Sequence, residues 1–192
     1  MAAEPAKPLR ADARRNRERV LEAARSVFAA KGATASTEEI AREAEVGIGT
    51  VFRHFPTKDA LLQAIIQDSL DHLFDEAEAL VSGGAPDTAL FTFFTRMVDM
   101  AAANRAVVEI LAGAGADLPV AKVVERLRET VTTLLARAQQ VGGVRADARP
   151  PEVLALLTGT CQAALATEWD GDVRERALTI VFDGLRPVRT IT

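Results

Sequence analysis

The chain has 192 residues and a formal net charge of −4, with 48% hydrophobic residues, one cysteine and no tyrosine. That length supports one or two small domains with a real core, and the abundance of alanine and leucine favours helices over strands. A lone cysteine, Cys161, excludes an intrachain disulfide and a cysteine-rich zinc site.

Residues 1–10, two prolines among small residues, are expected to form a disordered arm. The opening MAAEPAKPLR lacks the apolar core of a signal peptide, which predicts a soluble, cytoplasmic protein. A first helix is predicted from about Asp12 to Lys31. Val20, Leu21, Ala24, Val27 and Phe28 form its buried stripe, and Gly32 stops it. Arg14, Arg15, Arg17 and Arg19 cluster at its start. The charge is unevenly spread: residues 1–60 carry 11 Lys+Arg against 9 Asp+Glu, and residues 61–192 carry 12 against 18. A basic arm on an acidic body suits a polyanionic partner, with Arg14 and Arg15 as candidates for DNA phosphate contacts. For any single arginine, a solvated helix start is the competing explanation.

The next stretch, STEEIAREAEVGIGTVFRHFPTK from Ser36 to Lys58, has the form of two short helices joined by a tight turn. Ser36 is an N-cap, and Glu39, three residues on, completes a capping box. Ile40, Ala41 and Ala44 give the first helix a narrow apolar face. Glu45-Val46-Gly47 forms the turn, and Ile48–Phe55 forms the second helix, ended by Pro56. Two glycines weaken that second helix as a helix, yet a backbone without Cβ atoms can approach another surface closely. Thr50, Arg53, His54 and Lys58 surround the bare spot with hydroxyl, guanidinium, imidazole and ammonium groups, while Val51 and Phe55 anchor the opposite face. Such a helix suits phosphate contact and base-edge reading in the major groove.

From about Arg15 to Ile66, through VLEAARSVFAAKGATAS, TEEIAREAEV and GIGTVFRHFPTKDALLQAI, the chain resembles the TetR family of bacterial transcription regulators. The resemblance implies an all-α homodimer, with an N-terminal helix-turn-helix domain (11–56) and a helical ligand-binding and dimerisation domain (57–187). It implies a protein that occupies a palindromic operator in double-stranded DNA and is released by a small-molecule effector. By position it places DNA contacts on Ser36, Thr37, Gly47, Ile48, Gly49, Thr50, Phe52, Arg53, His54 and Lys58. Two residues depart from the family pattern. Phe52 stands where a phosphate-binding tyrosine is usual, and Glu45 stands where a glycine is common in the turn. If Glu45 is left-handed, a side chain there costs about 1–2 kcal/mol.

Thr57 caps a long fourth helix, expected to run to about Val81, with Leu62, Ile66, Leu70, Leu73, Ala77 and Leu80 at helical spacing. His72 lies on it with Asp68 and Glu76 four residues to either side. A divalent metal could use that set, but the spacing is weak evidence and ion pairs along the helix explain it equally well, so no metal or other cofactor is expected. Ser82–Pro86 breaks the chain. A fifth helix, from about Pro86 to Ala103, carries Phe91, Phe93, Phe94, Met97 and Met100. Their spacing fits plain core or the wall of an apolar pocket, and the family resemblance moves the balance toward the pocket. A short sixth helix, Ala106–Ala112, ends at Gly113-Ala114-Gly115.

Pro119 starts a seventh helix with an apolar stripe through Val120, Val123, Val124, Leu127, Val131, Leu134, Leu135 and Ala138, and with Lys122, Glu125, Arg126, Arg128 and Glu129 facing solvent. An eighth helix, from Pro150 to about Thr167, is apolar or small nearly all round. Its uncharged stretch, Val153–Thr167, is shorter than the roughly 20 residues of a bilayer span, so no membrane partner is expected. Burial on every side calls for partners beyond one subunit. The ninth helix, capped by Asp172, runs to about Leu185. Leu154, Leu157, Gly159, Ala164, Val173, Ala177, Ile180 and Val181 are the expected dimer contacts. Phe91, Phe94, Met97, Met100, Leu127, Cys161 and Trp169, with the polar Thr158 and Gln162, are the expected ligand contacts, suiting a mostly apolar effector.

No HExxH, GxSxG, paired ExxH or glycine-rich strand-to-helix turn is present, which argues against an enzyme. A regulator that activates, or that needs no small molecule, is the alternative within the same fold.

Overall fold

In a computed structural model of the chain, residues 6–113, 120–167 and 169–187 are described. Among them the regular structure is all helical: α1 (Ala6–Lys31), a 3-10 turn (Gly32–Thr34), α2 (Thr37–Glu43), α3 (Ile48–His54), α4 (Lys58–Gly83), α5 (Ala89–Ala103), α6 (Arg105–Gly113), α7 (Val120–Gln140), α8 (Pro150–Ala166) and α9 (Gly171–Leu185). The start of α1 falls inside the expected disordered arm, of which residues 1–5 lie outside the described residues. Residues 114–119, Pro119 among them, and the surroundings of the Val120 side chain also lie outside them. No described helix is long and apolar enough to cross a membrane.

Contacts divide the chain into two compact units, and the division falls inside α4, between Asp68 and Ser69. The first unit contains α1, α2, α3, the start of α4 and α6 from Ala106. Its core is built from Val20, Leu21, Ala24 and Phe28 of α1, Ile40 of α2, Val51 of α3, and Leu61, Leu62 and Ile65 of α4. Helices α2 and α3 pack on each other and both pack on α1. Gly32, at φ 56°, ends α1 in the left-handed conformation that a residue with a Cβ disfavours.

In the second unit α5 packs chiefly on α8 and also on α7, and α7 packs on α8. Phe93, Phe94 and Val98 of α5, Leu134 and Leu135 of α7, and Val153 and Leu157 of α8 are buried there. Four expectations on these helices need correction. Val124 is 53% exposed, because the buried stripe of α7 runs through Leu127, Val131 and Leu134 and leaves Val124 on the outer face. Arg126 is half-buried, its guanidinium 4.4 Å over the Phe74 ring and 3.1 Å from Glu78. Leu157 and Ala164 are buried against their own chain and cannot face a second subunit.

The connection from α7 to α8 is tied by polar contacts. Gln139 donates to the carbonyls of Arg145 (3.0 Å) and Ala148 (2.8 Å), and the Arg145 guanidinium pairs with Asp147 through two 2.7 Å hydrogen bonds. Gly143 is needed here, since a Cβ would lie 2.8 Å from the Asp87 backbone.

Candidate nucleic-acid interface

The first unit presents α3 by anchoring one side of a seven-residue helix and leaving the other side bare. Val51 is fully buried and Phe55, at the C-cap, is 4% exposed, four residues apart on the inner face. Opposite them Gly47, Ile48, Gly49, Phe52 and Arg53 are exposed, with Ile48 at 38% and Phe52 at 45%. Neither Gly47 nor Gly49 is required by the chain itself. Gly47 has φ −67°, and a Cβ at either position would meet nothing within 4 Å. The two glycines keep a strip of backbone open to the outside, which is what close approach of a second surface needs. Arg53 stands on this strip and makes no ion pair with any described residue.

Helix α2 is fixed by the capping box that the sequence predicts. Glu39 N–H donates to Ser36 Oγ and Ser36 N–H donates to Glu39 Oε2, both at 3.2 Å. The Lys31 ammonium also binds the Glu39 carboxylate. That contact first, and the Ser36 N–H second, hold the Glu39 carboxyl below its ordinary pKa. Thr37 follows at the first helical position, half-buried. Thr50 and His54 are also half-buried, the His54 ring 6.1 Å from that of Phe55.

The basic residues divide into two groups. Arg14 and Arg15 are well exposed, pairing along α1 with Glu18 (3.5 Å) and Asp12. Such exposed pairs are weak and exchange readily for a phosphate. Arg17, Arg19, Arg25 and Lys58 are turned to internal work. Arg25 meets Asp68 at 2.5 Å; Arg17 lies 3.7 Å from the same carboxylate and 5.7 Å from the Phe55 ring centre. Lys58 donates to the carbonyls of Ala33 (2.7 Å) and Ala35 (2.9 Å), with its ammonium 5.5 Å from the Phe28 ring centre. It thereby pins the link between α1 and α2. Asp68, a candidate metal ligand by sequence spacing, serves as the acceptor for α1, and no group of three or more His, Cys, Asp or Glu among the described residues is arranged to hold a metal ion.

In the second unit the expected ligand residues separate. Phe91, Phe94, Leu127 and Cys161 are buried, whereas Met97, Met100 and Trp169 are half-buried. The Phe91 and Phe94 rings pack on Phe182 of α9 at 4.9 and 5.5 Å. Thr158 and Gln162 are exposed on α8, away from that buried set, and the Thr158 hydroxyl donates to the Leu154 carbonyl at 2.8 Å. Burial pushes the Cys161 thiol up to about 12, which keeps it protonated and unreactive. A cleft of about 410 Å³ opens between α5 and α9, beside the Asp99–Arg174 ion pair (3.0 Å), and none of the expected ligand residues lines it.

Of the expected dimer residues, Gly159, Val173 (46%) and Ile180 (74%) are exposed, and Leu154, Ala177 and Val181 are half-buried. Leu156, 43% exposed on α8, belongs to the same class and is missing from the expected set. A helix apolar on every side gives no phase from which to pick it.

Comparison with known proteins agrees with this architecture. Residues 20–65 match the family model described as bacterial regulatory proteins of the tetR family, and residues 85–187 match that of the SbtR-like transcriptional regulator C-terminal domain. The HTH-type transcriptional regulator UidR of Escherichia coli K12 is 31% identical over 171 residues, spanning 82% of this chain and 84% of UidR. The crystal structure of a TetR transcription regulatory protein from Mycobacterium vanbaalenii superposes with a TM-score of 0.77 at 43% identity, covering 94% of this chain and all (100%) of the other. A TetR transcriptional regulator from Streptomyces coelicolor gives 0.73 at 34% identity, covering 90% and 99%.

Proposed function

The chain belongs to the TetR family of bacterial transcription regulators, and from that premise we propose that it is a homodimeric, cytoplasmic repressor. It holds a palindromic operator and lets go when a small, mostly apolar molecule binds its second unit. It is a regulator of transcription and not an enzyme.

The observation that carries this function is the bare outer strip of α3 on its buried Val51–Phe55 anchor. In the complex α3 enters the major groove. Gly47 and Gly49 let backbone approach the sugar–phosphate chain, while Thr50 and His54 support the contact from the half-buried edge. Arg53 is the side chain suited to bidentate reading of a guanine. Ser36 and Thr37 at the start of α2, with Arg14 and Arg15 on α1, add phosphate contacts that fix register without reading sequence. Lys58, two of whose donors already hold Ala33 and Ala35, supports the site chiefly by holding its scaffold.

Two subunits joined through the exposed sides of α8 and α9 place two α3 helices on half-sites about 34–36 Å apart, or a multiple of that. The effector acts by binding more tightly to a dimer whose recognition helices no longer match that spacing; its differential affinity sets the limit of release. Phe94, Leu127 and Cys161 mark the apolar interior against which it seats.

Selection of genomic DNA fragments by the purified dimer tests this function. The expected result is one enriched imperfect palindrome whose footprint shows two protected half-sites. Enrichment of fragments in proportion to length alone, with no common sequence, would refute sequence-specific regulation.

A further inference from the structure

We propose that Arg19 is a positioning residue of the DNA-binding unit: it clamps the turn before α3 through Glu45 instead of contacting DNA itself. Glu45 is the one non-glycine residue with positive φ among the described residues, at 52°. A side chain in the left-handed region crowds its own backbone, and a single such residue tends to revert to another conformation unless its neighbours hold it. Arg19 is one of the neighbours that hold it. The Arg19 guanidinium, reaching across from α1, donates through Nη2 to the Glu45 carboxylate at 3.0 Å and to the Glu45 backbone carbonyl at 3.4 Å. One cation therefore grips the side chain and the main chain of the strained residue together.

The main chain of the turn closes as a Schellman motif around Glu45, and Arg19 is the side-chain contact added to it. Glu45 N–H donates to Arg42 at 3.1 Å and Val46 N–H to Ala41 at 3.0 Å, after which the chain passes directly into Gly47, the N-cap of α3. Gly47 lacks a side-chain cap bond, so the conformation of Glu45 sets the direction in which α3 leaves the turn. Helix α1 is the brace of this unit, and Arg19 converts its position into the position of α3. Exposure alone would make Arg19, in the run Arg14–Arg19, a phosphate contact. What assigns it the other role is its reach: Arg14 and Arg15 pair along their own helix, whereas the Arg19 guanidinium crosses to both the carboxylate and the main-chain carbonyl of Glu45.

This inference rests on α3 being the DNA-reading helix, so its test has one arm that needs no DNA. The full-length dimer is prepared as wild type, Arg19→Ala, Glu45→Gly and the double variant. Glycine takes a left-handed turn without strain, so in the Glu45→Gly background the clamp keeps only its 3.4 Å contact to the main-chain carbonyl and has no strain to oppose. Hydrogen exchange of the Val46 amide is expected to speed up by about two- to fivefold in Arg19→Ala, the scale of one exposed ion pair. Removing Arg19 from the Glu45→Gly protein is expected to leave exchange unchanged. On the fragment selected by the wild-type dimer, Arg19→Ala is expected to weaken binding by roughly four- to twenty-five-fold, since two copies of the same coupling multiply. Its salt dependence should stay the same, and its effect should vanish in the Glu45→Gly background. An equal loss of affinity in both backgrounds, with the salt slope falling by about 0.9 for each arginine removed, would make Arg19 a phosphate contact and overturn the proposal. Unchanged Val46 exchange in Arg19→Ala would overturn it as well, whatever the DNA results.

Discussion

Phe52 projects from α3 with 45% of its surface exposed and has no polar atom to offer a phosphate. Phe52→Tyr adds a hydroxyl where the backbone of DNA would run. A gain of about 1 kcal/mol per subunit is expected, tightening operator binding by roughly ten- to thirtyfold in a dimer. Titration against the selected fragment measures it, and unchanged affinity would place Phe52 away from phosphate. Cys161 supports the opposite kind of prediction. Its thiol, pushed up to about 12 by burial, should resist alkylation at pH 8 in the folded dimer and react on unfolding; rapid reaction of the native protein would contradict that environment. At this scale the sequence is legible where partners are near neighbours. The Ser36–Glu39 box spans three residues and is found where the spacing puts it. Lys58 is the counter-case, because its carbonyl partners at Ala33 and Ala35 come from the other side of the helix-turn-helix and no local spacing reveals them. The same holds for Arg19 with Glu45 and for Arg25 with Asp68.

Helix α2 is only seven residues long and depends on its cap. Ser36→Ala is expected to lower stability by about 1 kcal/mol, and thermal or chemical unfolding reads it directly. The pH dependence follows from Glu39, whose carboxyl is held below its ordinary value of 4.5 by Lys31 and by the Ser36 N–H. A depressed folded pKa means that the cap contributes fully above about pH 4.5 and is lost as pH falls through the lower folded value. Glu39→Gln should flatten that acid limb of the stability curve, and an unchanged limb would contradict the contact. Helical periodicity located α4 and α7 well, since Leu70, Leu73 and Ala77 on one, and Val131, Leu134 and Leu135 on the other, are buried at helical spacing. It failed on α8, whose apolar residues surround the helix. Leu157 is core and Leu156 is exposed, a distinction made by α5 and α7 packing against one side and not by the residues themselves.

For the whole molecule, the exposed apolar residues of α8 and α9 are expected to meet their twofold mates. Ile180→Glu, at a position 74% exposed, should leave the subunit folded yet yield monomers in sedimentation, because each dimer would bring two buried carboxylates to the interface. Leu157→Ala should instead lose about 2–5 kcal/mol of stability through a cavity in the subunit's own core. If the Ile180 variant remains dimeric, the interface lies elsewhere. The fold class and the DNA-reading unit are legible from the chain because α2 carries its own capping box, while α1 and α3 each carry a buried stripe and a stop, at Gly32 and Pro56. The second unit is less so: the same phenylalanines that suit a ligand wall also pack on Phe182, and only three-dimensional contacts separate core from pocket. Sequence-specific reading by α3 is the central claim, and one titration bears on it most directly: wild type and Arg53→Ala, each against the selected palindrome and a scrambled duplex, across a range of salt. Wild type should prefer the palindrome by orders of magnitude, and Arg53→Ala should lose most of that preference while keeping its affinity for scrambled DNA. An Arg53→Ala protein that still discriminates as wild type does would show that α3 is not what reads the sequence.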